Sequence, residues 1–353
     1  MLRVLYVDAL CPSGHRVFNS LTISALKDLK AELKLVGHER CLPDKINIAY
    51  RIPKRYLAKR KAGSFSKFSY RIREYQKLQW LLKVIEKEHP DLVILSSYET
   101  ISLSMVSSSL KIPVLAFNHN NIDELGSRVK RYFYRRIGGS VTQVVFENYM
   151  ADYLKNNIKV RSEVIVLPHI VESNERSEFQ AELPTPDSML LFAPSSSNDF
   201  SLIEDLLMRE DEIRSNGIKL VAKFKEDVSQ DSIILRKRFS DKEYDSFLRS
   251  CSAVFVPLPR SFNYRISNVV NEAIANGKKI IMGKNLYSGF LFSKYPSLVY
   301  ILSNSLVEQR EDLRVWLKKE DMSYEEERRA FIAGHSSSAF LYELSVALES
   351  NRQ

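Results

Sequence analysis

AVFVPLPRSFNYRISNVVNEAIANGKKIIMG, residues 253 to 283, is the stretch that decides the fold. It opens with a short, Val-rich apolar run, the pattern of a strand buried on both faces. Pro257 and Pro259 close that run, and a loop holding Arg260, Tyr264 and Arg265 follows. Ser267 then leads into a helical pattern that carries Asn268 and Glu272. Gly277 ends the pattern, and KKIIMG (278 to 283) reads as the next strand. A strand, a helix and a second strand in close succession make a βαβ unit, which needs a parallel sheet.

The same alternation extends in both directions. Upstream lie the strands MLLFAP (189 to 194), IKLVAKF (218 to 224) and SIILRK (232 to 237), separated by helical stretches such as FSLIEDLLMREDEIRSNG and KEYDSFLRSCS. The first half repeats the pattern with VLYVDAL (4 to 10), a helix expected from Asn19 to Leu35, the helix LQWLLKVIEKEH before Pro90, and DLVILSS (91 to 97). IPVLAFNH (112 to 119), TQVVFEN (142 to 148) and VIVLP (164 to 168) complete it. The expected fold is therefore α/β, with two doubly wound, Rossmann-like domains. The polar, proline-bearing run VESNERSEFQAELPTPDS (171 to 188) reads as a linker between a domain at 1–170 and another at 189–330, with a helical tail at 331–353. In such sheets ligands lie beyond the carboxyl ends of the strands, so the loops there are where chemistry is sought.

Composition narrows the function classes. The chain has 353 residues, 44% of them hydrophobic and 27% charged, which is ordinary globular composition at a length suited to two domains. Cys11, Cys41 and Cys251 show no metal-ligand or redox spacing, so neither a zinc site nor a disulfide framework is implied, and a reducing cytoplasm fits. No apolar run reaches the roughly 18 residues of a membrane span, and MLRVLYVDALCPSGHRVF reads as a first strand rather than a leader. The net charge is +9, and its excess is local. Residues 51 to 83 hold eleven Lys and Arg against one acid, Glu74, with aromatics interleaved, and RVKRYFYRRIGG (128 to 139) adds five cations and three aromatics. That mixture suits an anionic membrane surface, where each cation contributes about 1 kcal/mol. It also suits nucleic acid, and a solvated helical face with inward-packed rings accounts for each cluster taken alone.

The start of the helix at Ser267 and Asn268 exposes unpaired N–H groups and a positive dipole end, an anion site that suits a diphosphate. Glu272, about one turn further on, is an acceptor able to take two hydroxyls of a ribose. The plainer reading has Ser267 capping the helix and Glu272 as an exposed helical acid.

The segment FSDKEYDSFLRSCSAVFVPLPRSFNYRISNVVNEAIANGKKII resembles the nucleotide-sugar-binding segment of the retaining family 4 glycosyltransferases of the GT-B fold. Glu272, Ala273, Gly277 and Lys278 match the second half of that family's motif. Eight positions before Glu272, where the family has a first glutamate, stands Tyr264, and Arg265 is the residue placed to clamp a phosphate. SGHRV (13 to 17) stands at the family's glycine-bearing loop, so Gly14 is expected to let a ligand approach the backbone. FNHNNID (117 to 123) resembles the strand end whose histidine, here His119, approaches the donor sugar. His169 stands where an Asn is usual, and SSSN (195 to 198) occupies the basic phosphate loop without a cation, leaving Lys223 as a substitute.

The resemblance implies two facing doubly wound domains of GT-B type. It implies an enzyme that moves a hexose-type sugar from a nucleotide-diphosphate donor to a glycan or lipid-linked glycan in surface polysaccharide or lipopolysaccharide synthesis, by a retaining course. The catalytic residues so implied are His119 and Arg265, and the donor-binding residues are Gly14, Arg260, Tyr264, Ser267, Asn268 and Glu272. Asp8, Glu99 and Asp123 are the carboxylates near first-half strand ends that would serve as base in an inverting course. No Asp-x-Asp run occurs in a suitable loop, so neither a metal nor another cofactor is expected. The expected location is the cytoplasm, peripheral to the inner face of the cell membrane through 51–83 and 128–136. Two rivals stand beside this reading: a GT-B-shaped binding or scaffolding subunit without turnover, and a nucleic-acid-binding protein using the two basic clusters.

Overall fold

The computed structural model describes residues 1–10, 15–29, 31–43, 46–57, 64–172, 188–319 and 322–350. They form two compact units, Met1–Ile170 with His335–Gln353, and Val171–Gly334. The strands of the first unit are β1 (Arg3–Asp8), β2 (Glu32–Gly37), β3 (Tyr50–Arg51), β4 (Leu92–Ser97), β5 (Val114–Phe117), β6 (Val141–Val145) and β7 (Val164–Val166). Its helices are α1 (Arg16–Asp28), α2 (Ser64–Glu88), α3 (Thr100–Val106), α4 (Arg128–Arg136) and α5 (Asn148–Asp152). All seven strands are parallel, in the order β3-β2-β1-β4-β5-β6-β7. β4, β5 and β6 are buried at every position, because helices cover both faces of a parallel sheet and leave no wet side. Neighbours of β1 lie on either side of it, β2 toward one edge and β4 toward the other. The direction of winding thus reverses between β1 and β4, and the loops after these two strands part there to leave a crevice.

One expected element is corrected. The helix read from Asn19 to Leu35 stops at Asp28, and Glu32–Gly37 is strand β2, paired with β1 from Arg3↔Glu32 to Val7↔Val36. In Leu33-Lys34-Leu35 the apolar residues alternate with a cation. That is the period of a strand, and the pairing with β1 decides in its favour. From Ser64 on, the basic stretch 51 to 83 lies in the long helix α2, which buries Leu78, Leu81, Val84 and Ile85 along one stripe; Lys83 and Lys87 are exposed, while Lys77 is buried. The run at 171–188 falls, from 173 to 187, outside the described residues.

The second unit has strands β8 (Met189–Ala193), β9 (Ile218–Lys223), β10 (Val228–Ser229), β11 (Ile233–Arg236), β12 (Ala253–Val256), β13 (Ile280–Gly283) and β14 (Val299–Leu302). Its helices are α6 (Phe200–Met208), α7 (Glu210–Ser215), α8 (Asp241–Ser250), α9 (Asn268–Ala275), α10 (Leu286–Lys294), α11 (Arg310–Lys318) and α12 (Met322–Gly334). The sheet order is β10-β11-β9-β8-β12-β13-β14, parallel except for the edge pair β10 and β11. Alternate residues of each strand feed two cores. Val254, Val256, Ile280 and Met282 join one, and Ala253, Phe255 and Ile281 join the other. The winding reverses between β8 and β12. Asp199, at the end of the loop after β8, donates its N–H to the Pro257 carbonyl beyond β12 at 2.6 Å, so these two loops are tied together.

The expected fold of two doubly wound parallel sheets is what the chain adopts. The final helix, α13 (Ser337–Ser350), belongs to the first unit. It packs on α1, with Phe340 and Leu344 fully buried and the Phe340 ring stacked 6.4 Å from Phe117 of β5.

Candidate functional site

Each unit gathers its polar residues at the reversal point of its own sheet. In the second unit the loop from β12 to α9 is shaped by Phe262, which is buried and lies 5.7 Å from the ring of Tyr287. The Arg265 guanidinium stands 4.4 Å from the Phe262 centroid, a cation–π arrangement that holds its charge over the loop. Asn263 accepts a hydrogen bond from the Leu286 N–H at 3.2 Å and fastens the loop to the start of α10. Arg260 is exposed, and Tyr264 is half-buried.

Ser267 occupies the N-cap position of α9, is buried, and makes no side-chain capping bond; Asn268 follows it, exposed, as the first helical residue. The simple capping role read for Ser267 is therefore not what its hydroxyl does. The helix start keeps its N–H groups unclaimed by a cap, which suits an anion. Glu272 Oε2 accepts from the Tyr244 hydroxyl of α8 at 2.6 Å. Partial desolvation lifts the Glu272 carboxyl above its ordinary value, outweighing that hydrogen bond, and burial beside Glu272 pushes the Tyr244 hydroxyl up as well. Nearby in sequence, the Asn271 side-chain amide is buried with Nδ2 unpartnered.

Two residues matched to the sugar-nucleotide motif have a local reason to be there. Gly277 takes φ +70°, its N–H bonds the Ile274 carbonyl, and the Lys278 N–H bonds the Ala273 carbonyl, so the pair ends α9 in a Schellman motif. Lys278 Nζ donates to the carbonyls of Arg249 and Cys251 at 2.6 and 3.0 Å, which caps the end of α8. The loop Ser195–Asn198 is likewise structural in its bonds. Asn198 Nδ2 donates to the carbonyls of Ala193 at 2.9 Å and Lys223 at 3.3 Å, tying the ends of β8 and β9.

The first unit has a cavity of about 160 Å³ at its own reversal point, lined among others by Leu10, His15, Ser97, Glu99, His119 and Asn121. His119 follows β5 and its Nε2 lies 2.9 Å from the Ser96 carbonyl. A carbonyl only accepts, so Nε2 carries the proton and Nδ1 is left as the acceptor. Its ring stacks on His15 at the head of α1, with centroids 3.8 Å apart and planes 16° off parallel, and meets the edge of Phe18 at 4.8 Å. Burial first, then the neighbouring His15 and His169, holds the His119 pKa well below the ordinary histidine range, and burial lowers that of His15 too. Both imidazoles are neutral at physiological pH, and His15 Nδ1 is buried without a partner.

The framework under these rings is polar and closed. The Tyr98 and Tyr134 hydroxyls lie 2.7 and 2.9 Å from Asn118 Oδ1, and Asn118 Nδ2 donates to Gln143 Oε1 at 3.0 Å, fixing the backbone that presents His119. Lys77 of α2, fully buried, donates to Glu74 at 2.7 Å and to the Ala9 carbonyl at 2.6 Å, bracing the chain just after β1.

Of the three first-half carboxylates, Glu99 lines the cavity; one of its oxygens accepts from the N–H and hydroxyl of Ser102, each at 2.8 Å, which caps α3. Asp8 is fully buried, accepting from Asn19 at 2.7 Å and from the Ser97 hydroxyl, and serves to lock β1, α1 and β4 together. Asp123 begins the turn Asp123–Gly126 and is not itself among the lining residues, although the next residue, Glu124, is. His169 is buried between Phe18 and Phe146, each 5.2 Å away, and does not line the cavity; burial pulls its pKa down to about 4. Gly14 lies outside the described residues. His15 is the cavity residue that sequence reasoning passed over. It stood in the quoted SGHRV run, but neither spacing nor periodicity shows a stack with a residue 104 positions later. Among the described residues no group of three or more His, Cys, Asp or Glu side chains is placed to hold a metal ion, and no helix is long and apolar enough to cross a membrane.

Residues 22–175 match the family model Glycosyltransferase Family 4. No curated protein matches the chain in sequence. Among solved structures, the chain is similar to a sucrose-phosphate synthase from Thermosynechococcus elongatus, with TM-score 0.71 and 12% identity over 100% of this chain and 99% of that one. It is similar to an α,α-trehalose-phosphate synthase (UDP-forming) from Burkholderia vietnamiensis, with TM-score 0.67 and 12% identity over 99% of each chain. A third likeness is to WaaG, a glycosyltransferase involved in lipopolysaccharide biosynthesis, with TM-score 0.60 and 13% identity over 94% of this chain and 95% of that one.

Proposed function

We propose that this chain, GT-B in fold and family 4-like in the sequence of its first unit, is a glycosyltransferase that moves a hexose-type sugar from a nucleotide-diphosphate donor to a glycan or lipid-linked glycan. The observation that carries the proposal is the polar cavity of the first unit, with neutral His119, inside the region that matches the family, and neutral His15, just ahead of that region, at its wall. In this reading the second unit binds the donor. The start of α9, with Ser267 and Asn268, and the loop cations Arg260 and Arg265 take the diphosphate, whose charge develops as the sugar leaves. Glu272 takes the ribose hydroxyls in exchange for the Tyr244 hydroxyl it now accepts. Gly14, by its place in the SGHRV run, and Tyr264, where the family has an acid, complete the proposed donor set. His119 offers a neutral ring to the transferred sugar.

The proposed course is retaining and needs no resident metal or other cofactor, following the family resemblance. The proposed setting is surface polysaccharide synthesis at the cytoplasmic face of the cell membrane, with peripheral contact to anionic lipid through 51–83 and 128–136. Likeness to WaaG and the two basic clusters support it.

Thermal unfolding with a panel of nucleoside diphosphates and nucleotide sugars tests the donor half, because a ligand that binds only the folded state raises the midpoint by mass action. One nucleotide is expected to raise it, and Glu272→Ala to abolish the rise. If no nucleotide moves the midpoint of the wild-type protein, the donor assignment is wrong.

A further inference from the structure

A second cavity in the first unit, of about 360 Å³, has a different chemistry from the first. Arg128, Arg131, Arg135 and Arg136 of α4 line it with Tyr132, and Lys159 and Arg161 close it from the turn before β7. Six of these seven residues are cations and none is an acid. Among the described residues no carboxylate pairs with Arg128, Arg135, Lys159 or Arg161. Arg131 Nε donates to the Leu125 carbonyl at 2.9 Å, and Arg136 leans on Tyr132, donating to its hydroxyl at 2.8 Å. Unpaired like charges around one hollow repel each other, and an anion of matching charge relieves that repulsion. Lys159 reaches the cavity from a left-handed conformation, φ 56°, where glycine is the easier residue.

Two observations select the kind of anion. Val129 and Tyr132 of α4 are more than half exposed beside these cations. α4 packs on α3 and α3 on α2, and these helices leave Met105, Phe68 and Ile72 in solvent. Val129 and Tyr132, exposed on the helix that lines the cationic hollow, suit the headgroup level of a bilayer better than a nucleic acid. Six cations exceed the single charge of a phosphodiester lipid, so the complementary headgroup carries more than one phosphate. Lys130, between Arg128 and Arg131 on the same helix, lines the first cavity and pairs with Glu124. α4 thus has one residue on the first cavity and its neighbours on the cationic one.

We propose that the cationic cavity binds the phosphate groups of a lipid diphosphate, so that the acceptor is a lipid diphosphate-linked sugar or glycan. This rests on the transferase reading and names its acceptor class. Sedimentation with phosphatidylcholine vesicles tests it, with either a long-chain isoprenyl diphosphate or phosphatidylglycerol added to the same total negative charge. Wild-type protein is expected to bind the diphosphate vesicles at least tenfold more tightly. Arg131→Gln with Lys159→Gln and Arg161→Gln is expected to erase that preference. Lys237→Gln with Arg238→Gln and Lys242→Gln, an equal loss of charge in the second unit, is expected to keep it.

Equal binding to both vesicles by the wild type, or a preference that survives the cavity variant, overturns the proposal. Inorganic diphosphate that binds as tightly as the lipid form assigns the cavity to a soluble anion, and equal affinity for single-stranded nucleic acid of matched charge assigns it to nucleic acid; either result also overturns it. The midpoint rise with a nucleoside diphosphate, measured on the cavity variant, reports folding and the donor site separately. A failed donor reading and a failed lipid reading therefore give different patterns.

Discussion

His15, His119 and His169 share one condition: each is an imidazole kept neutral by burial, and Phe18 lies between His119 and His169. A depressed pKa in the folded state means stability that is complete above the unfolded value of 6.5 and lost as the pH falls toward the folded one. For His169 the gap between 6.5 and about 4 corresponds to about 3 kcal/mol. Acidification from pH 7 to 4.5 is expected to lower the denaturant midpoint of the wild-type protein, and His169→Asn is expected to flatten that dependence. Equal slopes for the two proteins would refute the assignment. His119 has a chemical role in the proposed reaction as well as this structural state. His119→Ala is expected to lower turnover at least about 100-fold, while the midpoint rise with a nucleoside diphosphate stays within that of the wild type. A variant that transfers sugar at the normal rate would remove His119 from the reacting centre.

At the scale of elements, the ends of helices α8 and α9 hold the second unit's loop in place. Gly277→Ala forces a side chain into the left-handed region at φ +70° and is expected to cost about 1–2 kcal/mol, read as a midpoint lower by a few degrees. An added Cβ there meets only Arg328 and Tyr324 side-chain atoms at ordinary contact distance, so the cost is conformational rather than steric. The buried pair Lys77 and Glu74 is the corresponding brace in the first unit. Burial raises the Glu74 carboxyl against the pull of Lys77. Removing one partner strands the other, so Lys77→Met is expected to cost about 3–5 kcal/mol, with Glu74→Gln added to it restoring part of the loss. Urea unfolding of the single and double variants measures the difference.

The strands and helices that position both sites were legible because buried parallel strands read as short β-branched runs, as DLVILSS and AVFVPLP do. The boundary inside Asn19–Leu35 is not legible because the sequence between helix and strand, Leu29, Lys30 and Ala31, has no break as strong as Gly or Pro. Within the candidate sites, the positions of Glu272 on α9 and His119 after β5 are those that their motifs imply. The His15 stack, the Lys77 brace and the contribution of Lys159 and Arg161 to the cationic cavity were not, because each joins residues remote in sequence through side-chain geometry.

At the scale of the whole chain, the first unit is discontinuous. Residues 1–170 make its sheet and 335–353 supply α13, whose Phe340 and Leu344 are fully buried. Removing 335–353 is expected to abolish the cooperative unfolding of the first unit while the second unit keeps its own transition. Calorimetry resolves the two, and an unchanged first transition would show that α13 is dispensable. The chain leaves the first unit after Ile170 and returns at His335, which lies within electrostatic range of His169 and whose ring lies 3.4 Å from Glu147. Departure and return are therefore neighbours, and the second unit is a cassette inserted between them. On the ribosome that cassette is finished while the first unit still lacks its closing helix, so the half that was begun first is the last to fold. A peptide of residues 335–353 supplied separately should be able to complete it.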